Sequence, residues 1–103
     1  MRAGLPALVL LLAAWPLPAS SRSQRGAALF AASGCQHCHS MNHVGGHKGP
    51  DLSDVGRTVK KAALRRQIME GGRQMPPFED VLEPAEVKDL VAYLHSCRGK
   101  PAR

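Results

Sequence analysis

The sequence contains few aromatic residues and no strand-like alternation of apolar and polar positions. Phe, Trp and Tyr make up 4% of its 103 residues, and the single tryptophan, Trp15, lies in an apolar N-terminal segment. Repeats and low-complexity tracts are also missing. These absences exclude sheet folds and repeat proteins, and the length excludes a second domain. The chain therefore predicts one small all-α domain of helices and loops.

The first 21 residues have the features of a removable export signal. Arg2 is followed by an apolar stretch over residues 5–15, and small side chains at residues 19–21 precede Arg22. An uncleaved membrane anchor is the alternative, because residues 3–21 carry no charge, but Pro6, Pro16 and Pro18 interrupt that run. We expect residues 1–21 to be removed and residues 22–103 to form a soluble domain exported into a periplasm.

The expected mature domain is short and basic. Without Arg2, the 14 Lys plus Arg become 13 against 8 Asp plus Glu, a net charge of +5. A basic exported protein favours acidic protein surfaces or anionic lipid headgroups over nucleic acid as partners. A domain of about 82 residues builds an apolar core with difficulty, so we expect a cofactor to complete it.

Three helices are predicted. The first covers residues 22–33 and stops at Gly34. The second begins at a Thr58 cap, ends at Glu70, and presents an apolar side formed by Val59, Ala62, Ala63, Leu64 and Ile68. The third has Pro84 in its first turn, behind a poor cap, Glu83, and presents an apolar face formed by Val87, Leu90, Val91 and Leu94.

Residues 40–56 are predicted to form an irregular loop. The segment has four glycines and a proline in 17 positions and no helical periodicity. Loops of this length are uncommon in a compact domain unless they wrap something. We therefore expect this loop to cover the cofactor.

Residues 35–39 read Cys-Gln-His-Cys-His, the C-x-x-C-H attachment signature of c-type haem. Thiols three positions apart match the two vinyl groups on one porphyrin edge, and the imidazole of His39 can reach the iron from one face. A low-spin electron carrier needs a second axial ligand, and a thioether there favours ferrous iron. Met75 is the candidate, because Pro76 and Pro77 stiffen its loop and lower the entropy lost when the sulfur is held.

The chain resembles the class I cytochromes c over nearly all of residues 22–103. The resemblance rests on a first-helix glycine and aromatic four apart, C-x-x-C-H, Gly-Pro-x-Leu, a Met-Pro-x-Phe loop and a last helix ending Leu-x-x-Tyr-Leu. The matching residues are Gly26, Phe30, Cys35, Cys38, His39, Gly49, Pro50, Leu52, Met75, Pro76, Phe78, Leu90, Tyr93 and Leu94.

This resemblance implies a cytochrome c-like fold of about three helices and loops wrapped around one covalently attached haem. It also implies that the first and last helices cross where Gly26 permits close approach to Tyr93, and that the Pro50 carbonyl accepts a hydrogen bond from His39. The mature chain lacks the tryptophan that often bonds a haem propionate, so Arg57 and Arg73 are the candidates for that role.

Other interpretations of the cysteines start from different chemistry. Zinc would accept C-x2-C-x4-H-x3-H, but this leaves His39 and Met75 unexplained; its ligands would be Cys35, Cys38, His43 and His47. A thioredoxin-like motif needs a preceding strand, which is missing from the sequence pattern. The third cysteine, Cys97, is expected either to pack as a small apolar residue or to pair with a second chain or take a redox or metal role.

Alternative distal ligands to Met75 also exist in the sequence. Three histidines lie in or beside the glycine-rich loop, where solvation or backbone bonding is more common, and two other methionines are either too close to His39 or within a helix. These alternatives are His37, His43, His47, Met41 and Met69. We expect the two methionines to pack around the porphyrin.

The start of the second helix carries a run of positive charge, which is either a solvated face or a docking face for an acidic partner. The run comprises Arg57, Lys60, Lys61, Arg65 and Arg66. Taken together, the sequence predicts a periplasmic single-electron carrier with His/Met-ligated haem c, which exchanges electrons with larger redox proteins. Six-coordinate iron leaves no open position for substrate, so we do not expect an enzyme. The alternative is a haem c subunit permanently bound to a periplasmic oxidoreductase.

Overall fold

The computed structural model describes Gly4 and residues 20–99, and it has three α-helices. These are α1 (Arg22–Ala32), α2 (Lys61–Glu70) and α3 (Pro84–Ser96). Between α1 and α2 lie two 3-10 turns, Cys35–His37 and Val55–Arg57, and two short strands, β1 (Ser40–Met41) and β2 (Val44–Gly45). The expected export signal, residues 1–21, lies outside the described residues except for Gly4, Ser20 and Ser21. Within residues 20–99, no helix has the length and apolar character needed to cross a membrane.

Helices α1 and α3 cross at a glycine, as the resemblance implied. A Cβ at Gly26 would lie 2.6 Å from the Tyr93 Cβ, so only glycine fits the crossing. One turn later, the Phe30 and Tyr93 rings pack with centroids 5.8 Å apart. An ion pair between Arg25 and Asp89, 2.9 Å from Nε to Oδ2, joins the same two helices.

The apolar core is formed by residues of α1, α2, α3 and β1 and of the loop before α3. Its buried residues are Phe30, Met41, Leu64, Ile68, Leu82, Val87, Leu90, Val91 and Leu94. All four apolar residues predicted for α3 are therefore buried. On α2 the prediction is only partly confirmed, because Ala62 and Ala63 are exposed.

Two predicted helix starts need correction. Helix α2 begins after Lys60, not at Thr58, because the Thr58 N–H already closes the preceding 3-10 turn onto the Val55 carbonyl. At α3, the expected poor cap Glu83 is supported by its neighbour three residues on. The Glu83 backbone N–H donates to Glu86 Oε1 at 2.9 Å, so one end group of the helix is satisfied by a side chain.

The loop over residues 40–56 is more ordered than predicted, because it begins with a hairpin. Ser40 pairs with Gly45 and Met41 with Val44. The turn between them places Asn42 and His43 at φ values of 51° and 71°, as a two-residue hairpin loop with both central residues left-handed requires. The turn has no glycine at those two positions, so its signal in the sequence is weak.

Candidate cofactor site

The first part of the site is the turn that carries Cys35 and Cys38. Gly34, at φ 79°, ends α1 and directs the chain into the 3-10 turn. The N–H groups of Cys38 and His39 both donate to the Cys35 carbonyl, at 3.3 and 3.0 Å. Both thiols are free and half-buried, and Cys35 packs against the apolar core. Burial raises the pKa of the Cys35 thiol, the opposite of what a reactive redox thiolate needs.

The second part is the His39 imidazole, which Pro50 orients. His39 Nδ1 lies 2.8 Å from the Pro50 carbonyl oxygen. A carbonyl can only accept, so Nδ1 carries the proton and Nε2 retains a free lone pair. Gly49 lies close against the same ring, since a Cβ at this position would be 2.7 Å from Nδ1. The imidazole is thus fixed in the tautomer that a metal can bind through Nε2.

The loop around His39 is held by backbone hydrogen bonds to the segment that follows the hairpin. Gly49 N–H donates to the Cys38 carbonyl at 2.7 Å, and Leu52 N–H donates to the Ser40 carbonyl at 2.9 Å. These two bonds lie on either side of the His39 to Pro50 contact. The cysteine turn and the Gly-Pro-x-Leu segment are therefore a single unit.

The third part is the loop that presents Met75. Helix α2 ends at Glu70 and is followed by Gly71 at φ 70°, after which the Gly72 N–H donates to the Met75 carbonyl at 2.9 Å. The Gln67 amide donates to the Gly71 carbonyl at 3.0 Å and to Met75 Sδ at 3.7 Å. Met75 is half-buried against the core. Sequence reasoning missed Gln67, whose only signal is its position one turn before the helix ends.

These parts carry the groups that a c-type haem requires. His39 offers an imidazole with Nε2 free and Met75 offers a thioether, both of which haem iron takes as donors, whereas the two thiols can bond to the porphyrin vinyl groups. Half-buried apolar side chains between and beside these residues in the sequence pack against the core, and they include Leu52, Val55, Val59 and Phe78. The residues present therefore fit the group that the C-x-x-C-H motif predicts.

The zinc alternative is not supported. Across the part of the chain that the structure describes, no three His, Cys, Asp or Glu side chains come together as a metal site. Both histidines of the proposed zinc set, His43 and His47, are exposed on the loop.

The alternative distal ligands occupy different surroundings. His37, like the two loop histidines, is exposed. Met41 is 7% exposed and belongs to the core, and Met69 is half-buried against it. Both methionines therefore pack in or against the apolar core, and their packing around the porphyrin stays a prediction.

The two arginines proposed for a propionate also differ. The Arg57 guanidinium donates to the carbonyls of Arg98 and Gly99, so it ties the second 3-10 turn to the end of α3. Arg73 is exposed in the loop before Met75. Arg57 thus has a structural role that the sequence did not indicate.

Cys97 directly follows α3, far in sequence from the other two cysteines, and it packs against the apolar core. Its Sγ donates to the Tyr93 carbonyl at 3.3 Å, and burial raises the pKa of its thiol. Its carbonyl accepts the Gly56 N–H at 2.8 Å. These contacts agree with the first of the two alternatives for Cys97, a residue packed at the end of α3.

Comparison with known proteins places the chain among cytochromes. The family model described as cytochrome c oxidase, cbb3-type, subunit III matches residues 21–94. Cytochrome c6 of Nostoc sp. is 30% identical over 83 residues, which cover 70% of this chain and 68% of that protein. The cbb3-type cytochrome c oxidase subunit FixP of Sinorhizobium medicae is 28% identical over 92 residues, 76% of this chain. This chain spans only 31% of FixP.

The fold is also found in a solved structure. The c-type cytochrome SorU from Sinorhizobium meliloti superposes with a TM-score of 0.65, covering 77% of this chain and 93% of that one. At 21% sequence identity, this likeness shows the fold alone.

Proposed function

Because the chain belongs to the family of small class I c-type cytochromes, in which covalently attached haem c transfers electrons, we propose that it is a periplasmic single-electron carrier. When bound, the haem supplies an iron that alternates between the ferric and ferrous states. The observation that carries the proposal is the 2.8 Å contact from His39 Nδ1 to the Pro50 carbonyl, which leaves Nε2 free to bind iron.

Each site residue has a separate task in this proposal. Cys35 and Cys38 would hold the haem through thioethers, and His39 and Met75 would supply its iron with an imidazole nitrogen and a thioether sulfur. The Met75 loop is held by the Gln67 amide of α2 and by the Gly72 N–H. Two protein ligands would leave the iron no open position for a substrate, so we expect an electron carrier and not an enzyme.

Electron exchange requires docking on larger redox proteins. Exposed positive side chains lie at the start of α2, and within residues 20–99 the single ion pair is Arg25 to Asp89, so these side chains have no acidic partner. They are Lys60, Lys61, Arg65 and Arg66. An acidic surface on the donor or acceptor fits this face.

The second candidate is a haem c subunit that stays bound to a periplasmic oxidoreductase. The match to the cbb3-type subunit III model and to FixP favours it. Purification distinguishes the two functions, because a carrier is isolated alone as a monomer, whereas a subunit is recovered in fixed ratio with a second polypeptide.

The intact mass of the secreted protein tests the proposal. We expect the mass of a chain starting near residue 22 plus one haem, retained under denaturing conditions, because two thioethers hold it. A mass equal to the polypeptide alone, or to the polypeptide with zinc under native conditions, would contradict the proposal. The same measurement reports whether Cys97 is free.

A further inference from the structure

The carboxylate of Asp51 lies beside the His39 to Pro50 contact. It accepts hydrogen bonds both from the segment that carries His39 and from the segment that follows Pro50. Asp51 Oδ2 accepts from the Ser40 hydroxyl at 2.8 Å, and Asp51 Oδ1 accepts from the Ser53 N–H at 2.7 Å. Ser40 is 4% exposed and is the one buried polar residue among those described. The Ser53 hydroxyl in turn accepts the Asn42 N–H at 2.7 Å, which ties the hairpin turn to the same unit.

The order of these residues along the chain places the Ser40 to Asp51 bond beside the His39 to Pro50 bond. Ser40 directly follows His39, and Asp51 directly follows Pro50, so the Ser40 to Asp51 bond lies next to the His39 to Pro50 bond. Proline has no N–H and cannot fix its own position by a backbone hydrogen bond. Its carbonyl is therefore held by its neighbours, and Asp51 is the neighbour whose side chain reaches back to the histidine segment.

Asp51 is well suited to hold this position at neutral pH. The hydrogen bonds from Ser53, and then that from Ser40, lower the pKa of Asp51 to about 2. The side chain is thus a carboxylate that accepts both bonds, and bonds to a charged acceptor are stronger than neutral ones.

We propose that Asp51 is a positioning residue, which through Ser40 and Ser53 holds the Pro50 carbonyl against His39 Nδ1. This inference rests on the proposed function, in which His39 Nε2 binds the haem iron. A firmly held Nδ1–H···O bond fixes the imidazole ring and makes Nε2 a more basic donor. Loosening it should weaken the donor and raise the reduction potential.

The test compares four variants of the haem-loaded protein. Asp51→Ala removes both bonds, Ser40→Ala removes one without changing charge, and Asp51→Asn keeps an acceptor oxygen without the charge. Asp54→Ala is the matched control, because this exposed carboxylate lies in the same loop and caps no N–H. The measurements are the exchange rate of the His39 Nδ1 proton, by NMR of the reduced protein, and the reduction potential.

We expect the Nδ1 proton to exchange at least about tenfold faster in Asp51→Ala and Ser40→Ala, the factor for losing a hydrogen bond to a charged group. Asp54→Ala should stay near the wild-type rate, and Asp51→Asn, which keeps one of the two acceptor oxygens, should lie between the wild type and Asp51→Ala. The potential should rise in Ser40→Ala, where no charge has changed, and in Asp51→Ala by more than in the control. If Asp51→Ala gives no holoprotein, Ser40→Ala decides the outcome by itself.

Wild-type exchange in Ser40→Ala, with an unchanged potential, would overturn the positioning role. Asp51→Asn as fast as Asp51→Ala, with Ser40→Ala unaffected, would assign the effect to charge and overturn it too. Either result concerns Asp51 alone. Wild-type protein that carries no haem would instead overturn the proposed function.

Discussion

At the scale of single residues, Cys97 has surroundings different from those of the other two cysteines, and this difference can be tested. Cys35 and Cys38 share one turn, whereas Cys97 closes onto the Tyr93 carbonyl at the base of α3. We expect haem to remain with the wild-type protein after acid and organic-solvent extraction, and with Cys97→Ala as well. The double variant Cys35→Ala, Cys38→Ala should yield little folded protein, because the cofactor completes the core. Haem that extracts freely from the wild type would contradict this assignment.

Met75 can be tested against the other methionines by spectroscopy. Met75→Ala should lose the sulfur-to-ferric-iron charge-transfer absorption and have a lower reduction potential, because a soft ligand that favours ferrous iron is removed. Met69→Ala should keep the absorption. Met41→Ala should keep it too, although the buried side chain it removes stabilises the fold by about 2–5 kcal/mol. If the absorption survives in Met75→Ala and is lost in one of the controls, the distal ligand is the methionine replaced in that control.

The residues that could be predicted from the sequence are those whose chemistry is local. C-x-x-C-H needs only five adjacent positions, so Cys35 and His39 can be predicted directly. The Pro50 contact came only from a family resemblance, because no local rule links residues eleven positions apart. Gln67 and Asp51 have no such signal, since each acts through a side-chain contact that exists only after the loops have folded.

At the scale of elements, the crossing of α1 and α3 depends on the missing side chain at Gly26. A Cβ there would lie 2.8 Å from the Asp89 backbone carbon as well as 2.6 Å from the Tyr93 Cβ, and backbone cannot rotate away. Gly26→Ala should therefore lower the free energy of unfolding by about 1–3 kcal/mol, the usual effect of overpacking. Ala28→Ser, exposed on the same helix, is the control. Denaturant unfolding of the haem-loaded proteins measures both, and equal midpoints would show that the helices can separate at no cost.

The ion pair across the same crossing gives a pH dependence. The Arg25 guanidinium lowers the pKa of Asp89, so the folded state binds that proton more weakly than the unfolded state. The stabilisation is complete above the unfolded pKa of about 3.9 and is lost as pH falls through the lower folded value. At pH 7 the urea midpoint of Asp89→Asn should be lower than that of the wild type, and at pH 2 the two midpoints should be close. Asp80→Asn, in an exposed loop, should have the wild-type midpoint at both pH values. A wild-type midpoint for Asp89→Asn at pH 7 would exclude this contribution.

Elements were predictable where apolar spacing decided them. The α3 face of Val87, Leu90, Val91 and Leu94 is buried throughout, because its i, i+3, i+4, i+7 spacing matches the helix period. The Thr58 prediction was wrong because the backbone N–H of this residue closes the preceding 3-10 turn, and α2 begins only at Lys61. The hairpin was missed because two-residue strands are too short for alternation to appear.

At the scale of the whole molecule, charge is distributed unevenly along the chain. Six of the eight acidic residues lie within residues 70–89, whereas the start of α2 is basic. Arg57 of the predicted basic run is exposed, but its guanidinium is bonded to the carbonyls that follow α3. In the proposed carrier, the other four basic side chains can orient the diffusing protein toward an acidic partner.

The salt dependence of electron transfer tests this face. The screening length falls from about 30 Å at 0.01 M to about 10 Å at 0.1 M salt, so second-order transfer to an acidic partner should slow as salt rises. The double variant Lys61→Glu, Arg65→Glu should be slower at low salt, with a flatter salt dependence. Its reduction potential should hardly change, because both side chains are exposed to solvent.

A second double variant, Lys48→Glu, Lys88→Glu, separates the face from the overall charge. It changes the net charge by the same four units at exposed positions outside α2. If docking uses the start of α2, this control should keep most of the wild-type rate at 0.01 M salt, measured by stopped flow with the physiological donor or acceptor. Equal slowing in both variants would show that net charge alone steers the encounter. Equal rates for all three proteins at every salt concentration would make the basic run a solvated face.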